Sequence, residues 1–324
     1  MGVARVTVDA TPAVTRGASR GRRFRVIHNA AAGAKAGIVT NPANVDDLRS
    51  VMSKFGLGDD LVEARDDDEV RAATRAALDR GIDVVVAAGG DGTVDLVAGE
   101  LLGTPTALGV LPLGSIMNIA RMLGIPRDLK AAAAILVNGS PRTIDVGEVE
   151  DAPTGRLLFY ESASVGLHAA IFREAARVDR GDWSSVLRTV WVALRYRPAR
   201  MRIRLDDEEV RTRALMVTVS NGPYIGVGMT VAPGARLDDR RFDVRVFRGF
   251  TTLGLLRYLA TIAFGRRRSA PRVSTYRSEV VRISSVHPLP ARADGNDLGS
   301  TPITLRTLPA ALTVVAPIEE PSPS

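Results

Sequence analysis

The hydrophobic and polar positions of this sequence follow two different patterns, one on each side of residue 140. From residue 24 to residue 138, short aliphatic runs alternate with segments of helical periodicity. The runs at residues 24–27, 61–64, 83–88 and 106–111 predict strands, and amphipathic or alanine-rich segments that predict helices follow them. This alternation favours an α/β domain of Rossmann-like type, in which helices cover a parallel sheet on both faces.

The second pattern begins after Asn138-Gly139-Ser140-Pro141, a turn-forming sequence that we take as the domain boundary. β-branched segments separated by turn residues predict strands at residues 143–149, 156–164, 201–205, 211–220, 242–247, 280–284 and 311–315. Two helices are expected among them, at residues 183–196 and 251–264. The prediction is therefore a nucleotide-binding domain over residues 24–140 and a β-rich domain of sandwich type over residues 141–318. A disordered tail at 1–23 and a tail at 319–324 flank them.

The composition excludes several classes of protein. Hydrophobic residues make up 45% of the chain and charged residues 24%, as in a globular protein rather than a disordered or fibrous one. Cysteine is absent, which excludes thiol catalysis, cysteine-based zinc sites and disulfides. The N-terminus has no apolar core of a secretory signal, and Arg257 interrupts the longest apolar stretch, which is shorter than the ~20 residues of a membrane helix. We expect a cytoplasmic protein that does not span a bilayer.

The net charge of +7 is unevenly distributed. Residues 1–25 carry +5, residues 26–140 carry −5 and residues 141–324 carry +7, with twelve arginines and four acidic residues between 236 and 282. This basic segment contains the predicted apolar helix at 251–264. Together they suit peripheral contact with an anionic membrane surface such as the inner face of a bacterial membrane. The alternative is a helix packed on the β-rich domain with its arginines in solvent. No nucleic-acid partner is expected, because zinc-finger, RNP and aromatic stacking motifs are missing.

The segment Gly89-Gly90-Asp91-Gly92-Thr93 carries the clearest chemical signal, because it joins a predicted buried strand to a predicted helix. Its glycines let the backbone approach a phosphate, and the helix N-terminus behind them supplies N–H donors. The segment is neither a Walker A loop nor a G-x-G-x-x-G motif. Asp91 would repel phosphates unless a cation such as Mg²⁺ lies between them or the carboxylate organises a proton network. The alternative is a tight turn in which Asp91 is the helix N-cap.

This segment resembles the signature of the diacylglycerol kinase catalytic domain family, which includes bacterial lipid kinases and sphingosine and ceramide kinases and is distantly related to NAD kinases. Further motifs similar to the lipid kinase branch follow in the order Leu111-Pro112-Leu113-Gly114-Ser115, Ile144-Asp145-Val146-Gly147, Ser164-Val165-Gly166, Asn221-Gly222, Leu237-Asp238-Asp239 and Asp294-Gly295. The resemblance covers nearly all of residues 24–317. It implies two domains, with ATP bound by the first and a lipid acceptor by the β-rich second.

The resemblance also implies the nucleotide-binding residues. They are Asn29, Gly89, Gly90, Gly92, Thr93, Gly114, Ser115 and Asn118. Ser115 stands where the family usually has threonine, and its hydroxyl can still hydrogen-bond a phosphate or ribose oxygen. Asn118 stands one position later than the corresponding asparagine of the family. Asn29 follows the first predicted strand, and the alternative for it is an ordinary turn residue.

The catalytic residues implied by the resemblance are less complete. The family's general base is the glutamate of a C-terminal Asp-Gly-Glu, whereas this chain has Asn296 there. An amide cannot accept a proton at neutral pH. Either Asp294 or Asp297 therefore takes over beside Asp91, or the activity is weak or absent. Phosphoryl transfer depends mainly on positioning and charge stabilisation, so loss of the base need not abolish it.

A structural Mg²⁺ site is also implied by the resemblance. The family holds the ion in an Asp-Asp-Gly loop, and the matching position here gives the Asp239 side chain with the backbone carbonyls of Arg236 and Arg241. Arg240 replaces the glycine of that loop. The alternative is an acidic β-turn without metal.

These observations together predict an ATP- and Mg²⁺-dependent kinase that phosphorylates a lipid hydroxyl such as that of diacylglycerol, with the lipid taken from an anionic membrane surface. Two alternatives stay open: a nucleotide- and lipid-binding homologue without turnover, and an NAD kinase-like kinase of a soluble substrate. The sequence does not decide between a monomer and a homodimer.

Overall fold

The computed structural model describes residues 21–29, 34–35, 38–39, 45–150, 152, 156–178, 185–225, 229–251, 253–254, 257 and 272–318. The predicted tail at 319–324 and all but the last three residues of the predicted tail at 1–23 lie outside the described residues. Most of the predicted helix at 251–264 lies outside them as well.

The elements of the fold have the following bounds. The helices are α1 (Val45–Phe55), α2 (Asp67–Asp79), α3 (Asp91–Leu101), α4 (Asn118–Met122), α5 (Leu129–Asn138), α6 (Leu167–Val178) and α7 (Ser185–Arg195). The strands are β1 (Phe24–Asn29), β2 (Ala34–Lys35), β3 (Ile38–Val39), β4 (Leu61–Ala64), β5 (Val84–Gly89), β6 (Ala107–Pro112), β7 (Ser140–Val149), β8 (Leu157–Phe159), β9 (Ser162–Gly166), β10 (Ala199–Arg204), β11 (Glu209–Ser220), β12 (Tyr224–Ile225), β13 (Met229–Thr230), β14 (Phe242–Arg248), β15 (Val273–Ser278), β16 (Val280–Ser285), β17 (Pro290–Ala293), β18 (Asn296–Ser300) and β19 (Ile303–Ala316).

The N-terminal part is a parallel sheet in the order β4-β1-β5-β6, with α1 packed on α5 and α2 packed on α3. Strands β1, β5 and β6 are buried along their whole lengths, which explains the predominantly apolar sequences of β5 and β6. The register aligns their carboxyl ends, because His28 pairs with Ala88 and Gly89 pairs with Pro112. The strand order reverses between β1 and β5, and open α/β sheets bind ligands at such a point. The predicted Rossmann-like architecture is confirmed.

The last strand connects the two parts of the molecule. Along its first half β19 pairs with β16, and near its end Val314 lies beside Leu108 of β6. On its other edge β19 pairs with β7 along most of its length. Accordingly Leu305 is buried in the core of the β-rich part, whereas Val314 is buried in the N-terminal core. The N-terminal core therefore contains the C-terminal end of the described chain, and the domain boundary at residue 140 stays a prediction made from chain order.

The Asp145 side chain stabilises the backbone at the point where β19 passes from the core of the β-rich part to the N-terminal core. Its carboxylate accepts hydrogen bonds from Ala310 N at 2.8 Å and from Arg240 N at 2.6 Å. Both of these residues have left-handed backbones, with φ of 47° and 64°. The pairing of β19 with β7 shifts register between Leu308 and Leu312, so Asp145 stabilises an irregularity that the crossing requires.

The β-rich part continues the sheet in the order β18-β17-β9-β11-β10-β16-β19, and β14 and β15 extend it from β11. Its core includes Phe159 and Phe242, whose rings stack with centroids 5.4 Å apart. The prediction that the second part of the chain is β-rich is confirmed. One predicted strand differs, because residues 156–164 form two strands, β8 and β9, that are separated at Tyr160 and Glu161.

Candidate active site

The first glycine loop joins β5 to the N-terminus of α3. Gly90 is the N-cap of α3, and no side chain of the described residues caps this end of the helix. A Cβ on Gly89 would lie 2.4 Å from Thr93 Oγ1, so this turn requires glycine, whereas a Cβ on Gly92 would meet nothing within 4 Å. The first N–H groups of α3 therefore lie beside glycines at the positive end of the helix dipole, which is the geometry of a phosphate site.

The Asp91 side chain connects this loop to the second glycine loop, which follows β6 and contains Gly114. A Cβ on Gly114 would lie 2.6 Å from Gly90 Cα, so the two loops touch through their backbones. The Asp91 carboxylate accepts from Met117 N at 2.9 Å and from Ile119 N at 3.3 Å. Asp91 is thus not the N-cap of its own helix; its carboxylate serves the first turn of α4 instead. Of the nucleotide-binding predictions, Ser115 lies exposed on the second loop and Asn29 lies buried at the end of β1.

Glu161 links the β-rich part to the second glycine loop. Buried Asn118 of α4 donates from Nδ2 to Glu161 Oε2 at 2.7 Å. The backbone of Glu161 is held as well, because its carbonyl accepts from Asn221 N at 2.9 Å and from Gly222 N at 3.0 Å. These contacts place the Asn221-Gly222 motif directly behind Glu161 and fix its carboxyl group beside the nucleotide loops.

Asp294 fixes, from the opposite side, the break between strands β8 and β9 in which Glu161 lies. It sits at the tip of the β17–β18 hairpin with φ of 44°, and its carboxylate accepts from Tyr160 N at 2.7 Å, from Glu161 N at 3.2 Å and from Ser162 N at 2.8 Å. Burial raises the pKa of Asp294 to about 6, although these three N–H groups act in the opposite direction. Asp294 is therefore ionised at neutral pH, and its carboxylate positions the backbone of residues 160–162; its catalytic role stays a prediction.

Four acidic residues converge between the glycine loops and the β17–β18 hairpin: Asp91, Asp95, Glu161 and Asp294. Burial and the charge of Asp294 raise the pKa of Glu161 to about 9, although the hydrogen bond from Asn118 opposes the shift. Burial and the charges of Asp294 and Asp91 raise the pKa of Asp95 well above its ordinary value. Asp95 Oδ1 is buried and has no hydrogen-bond partner within the described parts of the chain.

This arrangement fits a nucleotide with a divalent cation. The glycine loops and the N-terminus of α3 suit phosphates, and the acidic residues offer oxygen ligands of the kind that Mg²⁺ prefers. No cluster of three or more His, Asp or Glu side chains with metal-binding geometry occurs among the described residues. Mg²⁺ commonly binds through one or two carboxylates together with substrate phosphates, so the buried Asp95 carboxylate would be the residue to hold it.

Asp297 lies outside this cluster. Its carboxylate accepts from Arg173 Nε at 2.8 Å and from Arg173 Nη2 at 2.7 Å, which ties it to α6. Asn296 is exposed on β18. Of the two aspartates proposed to replace the missing glutamate, the hairpin brings Asp294 to the glycine loops and turns Asp297 towards Arg173. The catalytic role of Asp297 stays a prediction without support from this geometry.

The predicted Mg²⁺ loop contains two aspartates whose side chains form ion pairs with arginines. Asp239 Oδ1 accepts from Arg241 N at 3.2 Å, and Asp239 Oδ2 is paired with the guanidinium of Arg277. The side chain of Arg236 is paired with Asp238 at 3.0 Å. These contacts involve side chains and one backbone N–H group, whereas the predicted ligands include two backbone carbonyls. The Mg²⁺ site of this loop and the alternative of an acidic turn without metal both stay predictions.

Two residues of the cluster were not predicted, Asp95 and Glu161. A feature of the sequence could have indicated each of them. Asp95 follows Asp91 by four positions, which places both on one face of a helix. Glu161 is an ionisable residue inside a predicted strand of apolar and small residues, where a buried charge requires a partner.

Two glycine loops at the switch point of a parallel sheet, facing carboxyl groups from a β-rich second part, define a phosphotransferase of the two-part kinase type. Comparison with known families agrees. Residues 23–149 match the diacylglycerol kinase catalytic domain, and residues 161–316 match the YegS C-terminal NAD kinase beta sandwich-like domain. The chain belongs to the family of YegS-like lipid kinases and diacylglycerol kinases.

Two relatives and one solved structure illustrate the similarity. The chain is 32% identical over 257 residues to a protein named "Probable lipid kinase YegS-like" from Chromohalobacter salexigens, covering 77% of this chain and 81% of that one. It is 30% identical over 269 residues to "Diacylglycerol kinase" from Mycobacterium tuberculosis, covering 80% and 86%. A crystal structure of a diacylglycerol kinase from Bacillus anthracis shares the fold, with a TM-score of 0.66, 17% identity and coverage of 91% of this chain and 97% of that one. Within the described residues, no helix is long and apolar enough to cross a membrane.

Proposed function

We propose that this protein transfers the γ-phosphoryl group of ATP to a hydroxyl group of a lipid, such as that of diacylglycerol, in a Mg²⁺-dependent reaction. The observation that carries the proposal is the hydrogen bond between Asn118 and Glu161, which brings a carboxyl group of the β-rich part to the nucleotide loops. The names of the relatives support a lipid as the acceptor.

The reaction forms a bond between the acceptor oxygen and the γ-phosphorus and breaks the bond from that phosphorus to the β,γ-bridging oxygen, which leaves with ADP. The N–H groups at the start of α3 bind the phosphates, and Asp91 keeps the two glycine loops together. A divalent cation bound with the triphosphate supplies positive charge that lowers the pKa values of nearby carboxyl groups and stabilises the transferring group.

Glu161 is the residue that we assign to the acceptor hydroxyl. Its Oε2 accepts from Asn118, so Oε1 is the atom that takes up the hydroxyl proton. A pKa raised to about 9 in the free protein means that Glu161 holds a proton at neutral pH before substrates bind and is a stronger base than an ordinary glutamate once ionised. This assignment explains how the chain functions with Asn296 in place of the family's glutamate.

A kinase assay with two matched variants tests the proposal. Labelled ATP is supplied with vesicles that contain diacylglycerol or other lipid hydroxyls, and the wild type is compared with Glu161→Gln and Asp297→Asn. We expect Glu161→Gln to lower kcat by about 10²-fold or more, the scale of general-base catalysis. Asp297→Asn, which makes the same carboxylate-to-amide change outside the cluster, should retain most of the activity.

Other outcomes would contradict specific parts of the proposal. Loss of activity in Asp297→Asn with retention in Glu161→Gln would refute the assignment of Glu161. Nucleotide binding without turnover on any lipid would favour a binding protein without catalysis. Phosphorylation of NAD in place of lipids would favour the soluble-substrate alternative.

A further inference from the structure

The outer face of the hairpin formed by β10 and β11 carries arginines in direct opposition. The register pairs Arg200 with Arg213 and Arg202 with Arg211 across the two strands. Directly opposite residues of an antiparallel pair point to the same side, so these four guanidinium groups share one face. Met201 and Ile203, which alternate with them, are buried in the core beneath.

Like charges that face each other across strands are destabilising unless something offsets them. Glu209 offsets part of this charge near the hairpin tip, because it forms ion pairs with Arg202, Arg204 and Arg211. Arg200 and Arg213 lie four residues farther along each strand, roughly 13 Å away from Glu209. Neither has a hydrogen-bonding or ionic partner within the described residues. The base of the hairpin is therefore a pair of arginines without a counter-charge.

A cleft of about 530 Å³ opens over these arginines. Its lining includes all four arginines, the hydroxyl-bearing Ser284 and the side chain of Val286, which is 72% exposed. Ser284 lies opposite Arg202 on the neighbouring strand β16, and its hydroxyl makes no hydrogen bond within the described residues. Guanidinium groups and a hydroxyl that converge on one cleft match the oxygens of a phosphate group, to which arginine binds with two parallel hydrogen bonds.

We propose that this cleft binds a phosphate group, at a site separate from the glycine loops. The exposed Val286 at its edge makes a phospholipid headgroup one source of the phosphate. A soluble phosphate ester is the other source. In both, the phosphate oxygens accept the same charge-assisted hydrogen bonds from Arg200 and Arg213.

Binding measured without ATP tests this site independently of catalysis. In one arm, the full-length protein is sedimented with vesicles of phosphatidylcholine, with and without phosphatidylglycerol. In the other arm, glycerol 3-phosphate is titrated by calorimetry. The variant Arg200→Gln/Arg213→Gln is compared with Arg49→Gln/Arg65→Gln, which removes the same charge from exposed positions of the N-terminal part.

We expect the Arg200→Gln/Arg213→Gln variant to weaken binding by about tenfold or more, because it removes two charge-assisted contacts, whereas the control variant changes it little. Binding to vesicles alone would identify a headgroup, and binding of glycerol 3-phosphate as well would identify a free phosphate. Absence of binding in both arms would overturn the proposal. An equal loss in the two variants would do so too, as would undiminished binding in Arg200→Gln/Arg213→Gln. Thermal unfolding of each variant, together with Arg200→Lys/Arg213→Lys, which keeps the charge, separates loss of the site from loss of the fold.

Discussion

Replacing Glu161 by glutamine should make the protein more stable at neutral pH while it removes activity. Glutamine has nearly the shape of a protonated glutamic acid, and its carbonyl oxygen can accept the hydrogen bond from Asn118 Nδ2. The substitution therefore keeps the contacts of Glu161 and removes only its ability to ionise. The side chain is buried, so any difference in ionisation between the folded and unfolded states changes the stability.

The size of the effect follows from the pKa of Glu161, which burial and the charge of Asp294 raise from 4.5 to about 9. Below pH 4.5 both states carry the proton, and Glu161 imposes no cost. Above that pH the unfolded chain loses its proton while the folded chain keeps it, so stability falls until the pH passes the folded pKa. At pH 7 the accumulated cost is about 3 kcal/mol, at about 1.4 kcal/mol for each pH unit.

Urea unfolding at several pH values between 4 and 8 measures this cost directly. We expect wild type and Glu161→Gln to have similar free energies of unfolding near pH 4, and the variant to become progressively more stable as the pH rises. Equal stability at every pH, or a less stable variant at pH 7, would refute the claim that Glu161 is protonated in the folded protein.

Asp297→Asn is a control for which we expect the opposite change in the free energy of unfolding at neutral pH. Although partial burial acts against it, hydrogen bonds from Arg173 and from the backbone lower the pKa of Asp297. Asp297 therefore contributes stability above the unfolded pKa of 3.8 and loses it as the pH falls through the folded value. The asparagine variant should be less stable than the wild type at pH 7, and this deficit should shrink on acidification.

Three further substitutions probe the glycine loops and the hairpin. Gly114→Ala would place a Cβ 2.6 Å from Gly90 Cα, and we expect a loss of about 1–3 kcal/mol in thermal unfolding together with weaker ATP binding. Gly92→Ala meets nothing within 4 Å, so it should leave the unfolding temperature nearly unchanged and weaken only ATP binding, measured by calorimetry. Asp294→Asn replaces one accepting oxygen by a donor against backbone N–H groups. It should lower kcat much more than Asp297→Asn does, and unchanged kcat would contradict its positioning role.

The sequence by itself determined the features that depend on local chemistry. Uninterrupted aliphatic runs such as that of β5 are typical of strands buried on both faces, and glycines between such a run and a helix predict a phosphate loop. The order of these signals along the chain was sufficient for the two-part architecture. The assignment of Gly89 and Gly90 to a phosphate loop, and of Gly114 through the family resemblance, stays a prediction.

The tertiary structure decided what depends on pairing between distant strands. Asp294 and Asp297 are three residues apart, and only the pairing of the β17–β18 hairpin with β9 turns the first towards Glu161 and leaves the second with Arg173. Sequence reasoning overlooked Glu161 because Asn118, its hydrogen-bond partner, lies 43 positions earlier. The same holds for Arg277 beside Asp239 and for the facing arginines of β10 and β11. A local pattern specifies backbone conformation and burial, whereas charges separated along the chain meet only after the sheet has fixed their register.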